Sequence, residues 1–123
     1  MNEKYNTVLP ESTDRVLLMA VDKPVSIEGY KENFLPRIHE MLEKHGEIRL
    51  LVHFRAYQGW EEAAAALDFS VTQQLGPKVR KITMVNPPEK LITQYAIKKP
   101  LIGGEVKVFG DDNLEEAKKW VQE

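Results

Sequence analysis

Four times along the chain an apolar run of strand length is followed by a segment whose apolar residues recur every three or four positions. That alternation leaves few architectures open. The first run, Val16 to Val21, has charge only at its flanks, Arg15 and Asp22, as a strand covered on both faces does. Ile48 to Phe54 and Val79 to Val85 repeat the pattern, and Glu105 to Phe109 alternates more loosely. Tyr5 to Leu9, closed by Pro10, reads as an edge strand able to pair antiparallel with the next. Strands separated by helices predict parallel pairing through right-handed crossovers. The expected fold class is α/β: four β-α turns, a mainly parallel sheet, an antiparallel N-terminal edge strand and covering helices. No linker divides residues 1–123, so one domain is expected.

The helical segments carry their own start and stop signals. Ile27, Tyr30, Phe34, Ile38, Met41 and Leu42 trace one stripe, with Ser26 as N-cap and Gly46 as a left-handed stop. Pro36 lies inside this helix and predicts a kink near residues 32–36. A second helix is expected from about Trp60 to Leu75. There Trp60, Ala63, Ala64, Leu67, Val71 and Leu75 share a face, and four consecutive alanines permit close approach. Asn86-Pro87-Pro88-Glu89 reads as N-cap, helical proline and capping-box glutamate ahead of a helix to Lys98. Asp112 and Glu115 repeat the capping spacing before Leu114, Ala117, Trp120 and Val121.

Composition removes several function classes. With no cysteine there is no disulfide framework, thiolate nucleophile or cysteine zinc site. A formal charge of −2 gives no overall attraction to nucleic acid, and Lys78, Arg80, Lys81, Lys90, Lys98 and Lys99 read as a solvated surface. The polar start Met1-Asn2-Glu3-Lys4 is unlike a signal peptide, and Val16 to Val21 is far shorter than the ~20 residues of a membrane span. A cytoplasmic protein without an integral membrane segment is expected. His39, His45 and His53 are scattered, and Glu43 joins only His39 on a helix face, so no metal or cofactor is expected. The chain has no G-x-S-x-G elbow, Walker loop or HExxH helix, and no catalytic residue is assigned.

The segment Tyr30 to Leu51 has the form Y-x3-FLP-x4-ML-x2-HG-x-IRLL. It is followed by Phe54-x4-Gly59-Trp60, and later by Val106-Lys107-Val108-Phe109 ahead of Ala117 and Trp120. In this order and spacing the motifs resemble the SpoIIAA-like family. The resemblance implies a fold akin to STAS domains and, more distantly, to CRAL-TRIO lipid-binding domains. It implies no established reaction. STAS anti-sigma antagonists carry a phosphorylatable serine after the second core strand, where this chain reads Arg55-Ala56-Tyr57-Gln58-Gly59-Trp60-Glu61 with no serine or threonine. The phosphoserine switch is therefore not expected here.

Sites in parallel α/β sheets gather outside the carboxyl ends of the strands. Here those loops hold Asp22-Lys23-Pro24, Arg55 to Trp60, Asn86-Pro87 and Gly110-Asp111. Tyr57 and Trp60 supply aromatic anchors, Asp22, Lys23 and Arg55 a polar cluster suited to orienting an anionic head group, and Ala64 a small contact on the following helix. Three functions remain open. The first is a non-enzymatic interaction or regulatory module, contacting a protein partner or a second copy through residues 57–75. The second is a carrier of a small apolar or amphipathic ligand, and the third an enzyme of unrecognised type.

Overall fold

The computed structural model of the chain describes residues 6–56 and 58–123. Five strands form one sheet in chain order: β1 (Thr7–Val8), β2 (Leu17–Val21), β3 (Ile48–Phe54), β4 (Val79–Val85) and β5 (Glu105–Phe109). β1 runs antiparallel to β2, with Thr7 opposite Ala20, and the remaining neighbours are parallel. The architecture is the expected one. Its edge strand covers only part of the Tyr5 to Leu9 segment, of which Tyr5 lies outside the described residues.

Four helices follow: α1 over residues 27–45, α2 (Glu62–Leu75), α3 (Glu89–Lys98) and α4 (Leu114–Gln122). Ser26 caps α1 by accepting the Gly29 amide at 2.9 Å, and Gly46 ends it at φ 72°, a left-handed conformation that glycine adopts without steric cost. Pro36 has no amide proton for the carbonyl four residues back. The helix answers by widening into π form over Tyr30–Phe34, where the Leu35 amide donates to the Tyr30 carbonyl. The irregularity expected near residues 32–36 thus appears as a widened turn just before the proline.

Two helix starts differ from the sequence pattern. A residue preceding proline is biased away from the α region, and Asn86 and Pro87 both precede one. Pro87 is thereby disfavoured as a first helical residue; Asn86 takes φ 56°, a left-handed conformation that asparagine tolerates better than most residues, Pro88 is extended as the N-cap, and α3 begins at Glu89. At α4 no side-chain cap forms, because Asp111–Asn113 makes a short 3-10 turn and Leu114 opens the helix. Gly104 has a packing role: a Cβ there would lie 2.1 Å from the Arg80 carbonyl oxygen, so only glycine lets the chain cross the start of β4.

Alternation along the strands sorts side chains to two faces. Val16, Leu18, Leu51, Val85 and Phe109 meet Ala117 and Val121 of α4. On the other face Leu17, Met19, Ile48 and Leu50 meet Ile38 and Met41 of α1, while Val21, Phe54 and Met84 meet Leu91 of α3. One helix therefore covers one face, and α1, α2 and α3 share the other. Among the described residues no helix is long and apolar enough to cross a membrane.

The α4 face holds two buried basic side chains. Arg49 donates from Nη1 to the Val121 carbonyl at 2.8 Å and from Nε to Glu47 at 3.0 Å. Lys81 donates to the Trp120 carbonyl at 3.1 Å, with its ammonium 4.7 Å from the centroid of the Trp120 ring. Both cations complete carbonyls at the negative end of the helix dipole. Arg49→Met keeps much of the buried volume and removes these bonds. It should destabilise the domain by about 1.5–3 kcal/mol in urea titration, and an unchanged midpoint would refute this role.

Candidate functional site

The loops at the carboxyl ends of β2 and β3 are laced together. The Val25 amide donates to the Gly59 carbonyl and the Glu61 amide to the Val25 carbonyl, each at 2.9 Å, so that Val25 and Trp60 form a parallel bridge. Glu61 then accepts the Ile27 amide at 2.8 Å through Oε1, joining the starts of α1 and α2. Beside this lacing, Asp22 meets Lys23 Nζ and Arg55 Nη2, each at 3.5 Å. Gln58 donates to the Asp22 carbonyl at 2.9 Å, while Asn6 Oδ1 accepts the amides of Asp22 and Lys23.

The structure thus brings Asp22, Lys23 and Arg55 together, with both cations already facing one carboxylate. Trp60 lies at the junction, just ahead of α2, and Ala64 is completely buried on that helix. Tyr57 lies outside the described residues. His53 reaches a carboxyl-end loop, where its Nε2 stands 2.7 Å from Asp111 Oδ1.

A cavity of about 500 Å³ opens between the sheet and the three helices that share its face. Its floor is Met19 and Val21 of β2, Leu50, Val52 and Phe54 of β3, and Ile82 and Met84 of β4. Gly29, Tyr30, Asn33 and Phe34 of α1 form one wall, and Leu91, Gln94, Tyr95 and Lys98 of α3 form another. Ala65 and Asp68 of α2 lie between them, and Trp60 closes one end with its ring centroid 6.4 Å from that of Tyr30. Lys23, Asp22 and Arg55 do not line it. A smaller cavity of about 80 Å³ continues under α2 towards Val71 and Leu75.

The cavity is partly open to solvent, its floor is apolar, and its volume lies within the range of small-molecule sites.

Three helices meet over it through one carboxylate. Tyr30 of α1 donates its hydroxyl to Asp68 Oδ1 on α2, and Lys98 of α3 pairs with Asp68 Oδ2. The Lys98 ammonium also stands 5.8 Å from the Trp60 ring centroid. Burial, followed by the Asp68 charge and hydrogen bond, pushes the Tyr30 hydroxyl far above its ordinary pKa, so it remains a donor. The Tyr95 hydroxyl is likewise pushed up, first by burial and then by the charge of Asp68. It is buried and has no hydrogen-bond partner among the described residues.

The SpoIIAA-like family model matches residues 16–122. The chain belongs to the SpoIIAA-like family. A solved SpoIIAA-like fold, that of an uncharacterised DUF3478-family protein from Shewanella loihica, is similar to this domain at a TM-score of 0.68. The two are 19% identical over 94% of this chain and 91% of that one. No curated protein matches.

Sequence reasoning placed the SpoIIAA-like domain's site in the carboxyl-end loops and found Trp60, but it missed Tyr30, Asp68, Tyr95 and Lys98. One signal for them was present. Asp68 follows Ala64 by one helical turn, on the side of α2 that otherwise turns inward, and an acid there needs a partner.

The unequal filling of the two faces has a direct consequence for neighbouring leucines. Leu51 is fully buried against α4, whereas Leu50 borders both cavities. Leu51→Ala should cost about 3–5 kcal/mol and Leu50→Ala about 2 kcal/mol or less, measured by urea denaturation. Equal losses would contradict the cavity.

Proposed function

We propose that this domain is a non-enzymatic binding module that takes a small apolar or amphipathic molecule into the cavity beneath α1, α2 and α3, as a carrier or a ligand-responsive regulator. The observation that carries the proposal is the apolar-floored cavity on the sheet face that α1, α2 and α3 share. Ala65 lies where a larger side chain would narrow this space, and Met19 and Met84 give the floor adaptable thioether surface. The Ser26 hydroxyl on the wall is engaged as the cap of α1. A binding role also suits a chain in which the loop after β3 offers no serine or threonine for a phosphate switch.

Contact with a partner protein or a second copy through residues 57–75 has less support. Ala64 is buried, and Trp60 borders the cavity.

Medium-chain alkyl and isoprenoid compounds should form one-to-one adducts in native mass spectrometry and raise the melting temperature. Saturation at 100 times Kd adds about 2.7 kcal/mol. Val52→Phe, which fills the floor, should keep the fold and lose the adduct. A wild-type protein that no such compound stabilises would overturn the proposal.

A further inference from the structure

We propose that the cavity is entered between α2 and α3 and takes in only the tail of a single-tailed amphipath, whose head group stays outside in the mouth and is not limited in size. This inference rests on the cavity being a ligand site and specifies which molecules it admits.

Exposure locates the mouth. Of the residues that line the cavity, the exposed ones are Pro24 after β2, Glu62 and Ala65 of α2, and Lys90 and Gln94 of α3, while the remainder are buried or half-buried. The gap therefore lies between the N-terminal parts of α2 and α3, and the Lys98–Asp68 pair ties the two helices together further along. Phe69 follows Ala65 by one turn and Ile97 follows Gln94 by one turn, so each continues the edge of its helix that borders the mouth. They are 40% and 69% exposed, and they give both lips apolar surface over which an alkyl chain can pass.

Polarity fixes the orientation. Inside, Tyr30 and Lys98 both donate to Asp68, Asn33 donates from Nδ2 to the Asn6 carbonyl at 3.0 Å, Ser26 caps α1, and the Tyr95 hydroxyl is covered by protein atoms. A head group drawn inward would leave water for an apolar floor whose polar neighbours are already engaged, which is unfavourable. At the mouth, by contrast, the side chains of Glu62, Lys90 and Gln94 make no hydrogen bond or ion pair among the described residues. They offer a carboxylate, an ammonium and an amide at the solvent edge, so a head of either charge or none finds a partner there. Burial of the tail supplies the binding and the head remains solvated, so the head can exceed the cavity in size.

The test uses 1-decanol and decyl maltoside, the latter below its micelle concentration, which share one tail and differ greatly in head size. Titrated calorimetrically into the wild-type protein, they should bind within about fivefold of each other. In a second arm Ala65→Cys, which introduces the chain's only cysteine, is alkylated with N-phenylmaleimide. The control is Ala96→Cys, alkylated in the same way at an exposed position of α3 that does not line the cavity. Alkylation at the first position should weaken both ligands by at least about tenfold, and alkylation at the second should leave them unchanged. If 1-decanol binds the wild type and decyl maltoside does not, or if alkylated Ala65→Cys binds both as the wild type does, this inference falls while the cavity remains a ligand site. If neither compound binds the wild type, both fall.

Discussion

Asp68 receives a hydrogen bond from Tyr30 on α1 and an ammonium from Lys98 on α3, so one carboxylate on α2 joins the three helices that cover a single face of the sheet. Apolar contact alone would draw these helices down until side chains filled the space. A polar contact acts differently, because its geometry is directional and a buried charge separated from its partner is costly. The three-way junction and the lacing of Val25 to Trp60 fix the helices at a set height. The cavity follows from that height and from the small Ala65 side chain above it.

On the opposite face a single helix covers the sheet, and its polar anchors lie at the helix end rather than between helices. There Val16, Leu18, Leu51 and Val85 are covered by Ala117 and Val121, and the end of α4 is anchored by Arg49 and Lys81. Packing on this side supplies the stability that allows the other side to stay open. The domain therefore divides its labour between faces, with β3 contributing Leu51 to one and Leu50 to the other.

Much of the fold was legible because it rests on local signals. The apolar runs of β2, β3 and β4, the N-cap at Ser26 and the left-handed Gly46 each act over a few residues, and the order of strands and helices follows from chain connectivity. Helix starts were less legible where two local rules competed: a capping pattern at Asn86 lost to the restriction that each proline places on the residue before it. The site was harder still. Tyr30, Asp68 and Lys98 stand far apart in sequence and are joined only by tertiary packing, while Tyr30 and Leu67 read identically as members of an apolar stripe. Periodicity reports which way a side chain points, not how far away the opposing wall stands.

Methionine methyl groups sample both situations within one face and give the most direct measurement. Met19 and Met84 lie on the cavity floor, whereas Met41 is buried between α1 and the sheet away from it. In a titration of methyl-labelled protein with 2-decanone followed by NMR, the Met19 and Met84 resonances should shift together and saturate, with Met41 little changed. Saturable binding that leaves Met19 and Met84 unmoved would contradict a ligand site between the sheet and the helices joined at Asp68.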